Sequence, residues 1–107
     1  MFEYKAKVTN VVDGDTLDVE IDLGFKIATK QRLRLAHVDT AERTQKDYAE
    51  AKAFVTNLVL NKDVFLRTSK ASKYGYYLAE VITEVGQNVA QLLIEQGLGK
   101  KYEGGAK

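Results

Sequence analysis

The sequence predicts a mainly β protein with two or three helices, built on a five-stranded OB-fold barrel. Three observations lead to this fold class. Runs of alternating apolar and polar residues mark five short strands, two segments have the spacing of helices, and the longer helix lies between the third and fourth strands. Five strands in a meander with a helix at that place are the order expected of an OB-fold.

The first three strands occupy the N-terminal part of the chain. Alternating apolar residues predict a strand over residues 4–12, and the Asp-Gly-Asp run at 13–15 is typical of a tight turn. The clearest alternation follows over residues 17–23. A third strand is predicted near residues 30–38, and we expect His37 to be a partly buried strand residue rather than a metal ligand.

The hydrophobic period then changes to that of a helix. The Thr-Gln-Lys-Asp run at 44–47 resembles a capping box, and an apolar helical stripe follows over residues 48–59. Strands are predicted at 63–68 and 76–83, with a polar, lysine-rich loop between them. A final short helix should begin near Asn88 and end at Gly97.

Length and composition indicate one globular domain. The chain has 107 residues, of which 45% are hydrophobic and 29% charged, the ordinary balance for such a domain. We expect residues 1–107 to form a single domain and a monomer, with a frayed tail at about 103–107. No apolar run approaches the roughly 20 residues that cross a membrane, and no signal peptide is visible. A complete chain of this kind would be cytoplasmic, without a membrane partner.

The absence of cysteine limits the chemistry of any metal site. Without thiolates and with one histidine, the ligands must be mainly oxygen, which favours hard cations such as Ca²⁺ or Mg²⁺. Asp15 lies in the first turn, and Asp39 and Glu42 follow the third strand, so their carboxylates can converge, although each singly is also an ordinary turn residue. Arg34 ends that strand and suits either a structural ion pair or a bidentate phosphate clamp.

Four ordered segments resemble those of staphylococcal nuclease and its relatives. They are the VVDGDT run at 11–16, the RLAHVDTAE run at 34–42, the SKYG run at 72–75, and the helix that spans 88–100. The resemblance extends over about 8–102, nearly the whole chain. Four segments in the correct order are far more specific than any one of them, so the sequence is identified as a short member of this family.

The resemblance implies a Ca²⁺-dependent phosphodiesterase that acts on DNA and RNA with little sequence specificity. By position, Asp15, Asp39 and the backbone carbonyl of Thr40 would bind calcium. Glu42 would orient the attacking water or act as its general base. Arg34 would grip the phosphate and stabilise the charge that develops on it.

The substrate-binding segment departs from the family at one position. By resemblance, Lys73 and Tyr74 would contact the terminal phosphate of the nucleotide. The family places a second arginine directly after the KYG run, whereas this chain has Tyr76, a neutral phenol. Loss of one charge-stabilising donor costs about 10²–10³ in rate. Lys70, Lys73 or Arg67 would replace the planar fork of an arginine only in part.

Three hypotheses about function therefore stand in order. The first is a Ca²⁺-dependent nuclease with activity weakened at Tyr76, favoured by the acidic cluster beside Arg34. The second is a catalytically impaired OB-fold module that binds nucleic acid, which Tyr76 favours. The third is a protein-interaction domain with a vestigial metal site.

Overall fold

The structure, a computed structural model, describes residues 2–71 and 76–101. In these residues the chain forms, in order, β1 (Phe2–Asp13), β2 (Thr16–Asp22), β3 (Ala28–Leu35), β4 (Val38–Thr40), α1 (Tyr48–Val59), β5 (Asp63–Ala71), β6 (Tyr77–Thr83), α2 (Val89–Glu95) and β7 (Gly99–Lys101). Strands β1, β2, β3, β6 and β5 close into a barrel in that order. The predicted mainly β fold with a five-stranded barrel is confirmed.

The barrel closes around the alternating apolar residues that predicted its strands. Leu17, Val19 and Ile21 of β2 are buried, while the acidic residues between them lie on the outer face. Strands β1, β2 and β3 form an antiparallel meander. The barrel is completed by a parallel contact between β3 and β6, which places Leu35 beside Ala79.

Helix α1 packs against the turn between β1 and β2. Its buried residues Ala51, Val55 and Val59 belong to the barrel core. A Cβ atom at position 14 would lie 2.9 Å from the Cβ of Ala51 and 3.0 Å from Thr40 Oγ1. Only glycine therefore allows the helix and β4 to approach this turn so closely. Neither helix in the described residues is long and apolar enough to cross a membrane.

The predicted capping box before α1 is wrong. The helix begins at Tyr48 with Asp47 as its N-cap residue, and the Asp47 side chain makes no capping hydrogen bond. Gln45 bends the preceding segment instead. The Glu42 N–H donates to Gln45 Oε1 at 2.6 Å, and the Gln45 N–H donates to the Glu42 carbonyl at 2.8 Å. This turn places Thr44 outside the helix.

The third strand is shorter than predicted, and His37 is not a partly buried strand residue. Strand β3 ends at Leu35, and the Ala36 N–H donates to the Ala79 carbonyl at 2.8 Å. His37 then has a left-handed backbone with φ 71° and an exposed side chain. Its Nε2 atom lies 4.0 Å from a carboxylate oxygen of Glu80. The chain turns here and begins a separate strand, β4.

A small sheet outside the barrel was not predicted. Strand β4 pairs antiparallel with β7, so that Asp39 lies opposite Lys100 and Thr40 opposite Gly99. Helix α2 begins directly after Asn88, as predicted, because the Asn88 side chain caps it by accepting a hydrogen bond from the Gln91 N–H at 3.2 Å. Strand β7 follows the helix. The small sheet thus fixes Asp39 and Thr40 beside the end of the barrel.

Candidate active site

A polar pocket of about 400 Å³ opens beside the turn between β1 and β2. It brings together six of the predicted site residues, which come from separate parts of the chain. The residues that line it are Asp13, Asp15, Thr16, Arg34, Asp39, Thr40, Ala41, Glu42, Arg43 and Tyr76. The other two predicted residues, Lys73 and Tyr74, lie outside the described residues.

Asp15 is the most enclosed carboxylate of the pocket, with 12% of its side chain exposed. Its carboxylate accepts hydrogen bonds from the Thr16 hydroxyl, the Thr40 N–H and Arg34 Nη2, each at 3.2 Å. Its backbone carbonyl accepts the Leu35 N–H at 2.8 Å. These contacts join the turn to both β3 and β4, so Asp15 is held by two neighbouring strands.

Arg34 joins the two predicted metal-binding carboxylates. Its Nη2 atom lies 3.2 Å from Asp15 Oδ2 and 2.9 Å from Asp39 Oδ1. The ion pair, one of the two roles predicted for Arg34, is therefore present. One guanidinium nitrogen therefore lies within hydrogen-bond distance of both carboxylates.

The pocket offers oxygen donors of the kind that a hard divalent cation binds. Asp15 and Asp39 offer carboxylate oxygens, and the buried Thr40 Oγ1 has no hydrogen-bond partner among the described residues. An unsatisfied buried oxygen of this kind costs about 1–3 kcal/mol. In residues 2–71 and 76–101 no group of three or more His, Cys, Asp or Glu side chains is placed to hold a metal. A calcium ion here would need backbone and water oxygens to complete its 6–8 ligands.

Glu42 and Arg43 reach the pocket from the turn that Gln45 closes. The side chains of both residues are exposed and line its wall. Arg43 is a pocket residue that the sequence analysis missed, because the resembling segment was read only as far as Glu42. Its position directly after a predicted catalytic residue was the available signal.

Tyr48, the first residue of α1, interacts with two residues of the pocket, Asp13 and Arg43. The Tyr48 hydroxyl donates to Asp13 Oδ1 at 2.6 Å, and the Asp13 carboxylate raises the pKa of the Tyr48 phenol. The Arg43 guanidinium lies near the same phenol and acts in the opposite direction on its pKa, lowering it. Asp13 was also missed as a pocket residue, because an Asp before Gly is ordinarily only a turn former.

Tyr76 also lines the pocket. It is half-buried and lies near the guanidinium of Arg32, whose pKa it raises together with Asp18. Arg32 also makes a bidentate pair with Asp18, at 2.8 and 3.2 Å, which lowers the pKa of Asp18 and raises that of Arg32. Arg67, considered as a substitute for the missing arginine, pairs instead with Glu3 at 3.3 Å, away from the pocket wall.

Comparison with known proteins gives the same family as the resemblance. Residues 32–107 match the family model described as staphylococcal nuclease homologue. A protein of Escherichia coli O157:H7 named uncharacterized endonuclease is 31% identical over 102 residues, which cover 94% of this chain and 63% of that protein. Protein ParB of Escherichia coli is 26% identical over 110 residues, covering 94% of this chain and 58% of that protein. The chain thus spans less than two thirds of the length of these relatives.

Proposed function

Because the chain belongs to the staphylococcal nuclease homologue family, we propose that it is a nuclease that hydrolyses phosphodiester bonds of DNA and RNA with Ca²⁺ as its cofactor. The observation that carries the proposal is the pocket in which Asp15, Arg34, Asp39 and Glu42 come together. A relative named as an endonuclease supports the same reaction class.

The charge of the pocket supports a bound divalent cation. Four carboxylates line it, those of Asp13, Asp15, Asp39 and Glu42, against two guanidinium groups. This leaves a formal excess of two negative charges, which would repel a phosphodiester. One divalent cation has the charge that cancels this excess, and a bound metal ion dominates the electrostatics of such a site.

The residues of the pocket divide the work of the reaction. Asp15, Asp39 and the Thr40 carbonyl would hold the calcium ion, which when bound supplies Lewis-acid polarisation of a phosphoryl oxygen. Glu42 orients the attacking water or takes its proton, so that the water oxygen bonds to phosphorus while the ester P–O bond breaks. The departing ester oxygen takes a proton from solvent. Arg34 offers donors that stabilise the negative charge on the phosphate oxygens.

Tyr76 favours the second candidate, an impaired module that binds nucleic acid without cleaving it well. Its phenol can donate one hydrogen bond to substrate but carries no positive charge. Lys73 and Tyr74 stay predicted contacts for the terminal phosphate. The two candidates differ in turnover rather than in binding, so an experiment must measure both.

The test is cleavage of denatured DNA with Ca²⁺ and with a calcium chelator. We expect the native chain to cleave only with Ca²⁺, and Glu42→Ala to reduce the rate by about 10²–10⁴, the usual contribution of a positioned acid–base group. Glu84→Ala, at an exposed turn carboxylate away from the pocket, is the matched control and should keep the native rate. Binding without cleavage at high enzyme concentration would favour the impaired module, and rescue by Tyr76→Arg would locate the defect.

A further inference from the structure

Arg43 differs in its surroundings from the two other arginines near the pocket. Arg34 is held between two carboxylates, and Arg32 is paired bidentately with Asp18. Among the ion pairs of the described residues, none involves Arg43. The group that its guanidinium lies near is the phenol of Tyr48, whose pKa it lowers. Arg43 is therefore the guanidinium of the pocket whose positive charge is not matched by a direct carboxylate contact.

The position of Arg43 is restrained by the turn that carries it and by the neighbouring Tyr48. Two hydrogen bonds between Glu42 and Gln45 close the turn that carries it. The Tyr48 hydroxyl donates to Asp13, which leaves the Tyr48 oxygen able to accept a hydrogen bond from the nearby Arg43 guanidinium, a group that can only donate. An arginine has five N–H donors, and a phenol oxygen occupies few of them. A phosphate can bind the remaining donors without displacing Tyr48.

We propose that Arg43 is a catalytic residue that contacts the phosphate of the bound nucleic acid and stabilises its developing negative charge, with Tyr48 as its positioning residue. This inference rests on the nuclease function proposed above. It assigns the second cation of the pocket to the turn after Glu42, in a pocket that Tyr76 also lines. Arg43 would then offset part of the charge that Tyr76 lacks.

The first experiment compares rates of Ca²⁺-dependent cleavage of denatured DNA. We expect Arg43→Ala to lower the rate by about 10²–10³, the cost of one charge-stabilising donor. Arg43→Lys should recover part of the loss, because lysine keeps the charge but not the planar fork. Arg67→Ala removes a guanidinium that pairs with Glu3 outside the pocket, and it should keep the native rate.

The second experiment measures binding without turnover, and so separates phosphate contact from a purely structural role. In the Glu42→Ala background, the affinity for a single-stranded oligonucleotide is followed against salt concentration. Loss of one phosphate contact should reduce the slope of log K against log salt by about 0.7 when Arg43→Ala is added. A structural role for Arg43 would leave this slope unchanged. Tyr48→Phe, which keeps the ring and loses the hydroxyl, should slow cleavage less than Arg43→Ala while preserving the slope.

The outcomes separate this inference from the proposed function. If the native chain cleaves and Glu42→Ala is inactive, yet Arg43→Ala keeps both rate and slope, the role of Arg43 is refuted and the nuclease stands. If the native chain never cleaves, the nuclease proposal fails, while an unchanged slope refutes the Arg43 contact and a reduced slope supports it. Should Arg43→Ala fail to fold, Arg43→Lys and Arg43→Gln carry the same comparison.

Discussion

Gly99→Ala adds one methyl group where β7 packs against β4 and α2. In the structure, a Cβ atom at position 99 would lie 2.5 Å from Val38 Cγ2 and 3.3 Å from the Cβ of Leu93. Carbon atoms normally pack at about 3.5–4.0 Å. The fully buried Val38 has a single stiff side-chain torsion, so it cannot move aside cheaply.

The clash gives an expected loss of stability. Overpacking of a filled core costs about 1–3 kcal/mol, which corresponds to a fall in Tm of roughly 5–20 °C for a domain of this size. Thermal unfolding followed by circular dichroism measures it directly. Gly86→Ala is a useful comparison, because position 86 has a left-handed φ of 88° but open space around it. That variant bears only backbone strain, about 1–2 kcal/mol.

A double-mutant cycle identifies Val38 as the cause. Val38→Ala removes the clashing methyl group and alone leaves a cavity in the core. Combined with Gly99→Ala, it should cost less than the two single changes together, with a coupling of about 0.5–3 kcal/mol. Gly86→Ala should instead be additive with Val38→Ala. Unchanged stability of Gly99→Ala, or additivity with Val38→Ala within about 0.5 kcal/mol, would refute the steric argument.

Three further predictions concern the metal, a surface ion pair and a hairpin. Calcium at about 100 times its Kd should stabilise the native chain by about 2.7 kcal/mol, and Asp15→Asn should abolish this rise in Tm; an equal rise in both proteins would contradict the assigned ligand. Asp18→Asn should cost about 0.2–1 kcal/mol at neutral pH. Because Arg32 lowers the pKa of Asp18 below 3.8, that difference should persist above the ordinary pKa and vanish as the pH falls through the folded value, as urea titrations at several pH values would reveal. Phe25 and Lys26 both have positive φ, of 52° and 61°, in a hairpin turn, so replacing them by Asn and Gly should raise stability by about 1 kcal/mol in thermal unfolding; no gain would argue against backbone strain there.

The sequence predicted the barrel because burial in a closed sheet imposes a period of two. Leu17, Val19 and Ile21 alternate with acidic residues, and this pattern needs no tertiary information. The β4–β7 sheet was missed because three residues are too few to establish a period. The end of β3 was missed for a related reason. Histidine adopts the left-handed backbone conformation more often than most residues, but this tendency alone does not show that His37 does so.

The residues of the site were also predicted only in part from the sequence. Asp15, Asp39 and Glu42 were expected to converge because they lie in a predicted turn or after a predicted strand, and the resemblance then gave each of them a role. The place of Arg43 in the pocket could not be predicted in this way, because its neighbours Tyr48 and Asp13 come from α1 and β1. The failed capping box has the same origin: the Gln45 side chain accepts the Glu42 N–H and closes a turn before the helix begins, and residue types alone do not reveal this contact.

Strand β4 carries both Asp39 and Thr40, and its position depends on two residues without side chains. On one side, Gly14 leaves the space in which Thr40 Oγ1 and Ala51 lie. On the other, Gly99 leaves the space that Val38 fills. A methyl group at either position would displace β4 relative to Asp15, which accepts the Thr40 N–H at 3.2 Å. Close backbone packing at Gly14 and Gly99 therefore helps to determine where the oxygen donors of β4 lie. A search for acidic residues alone would not find these two glycines.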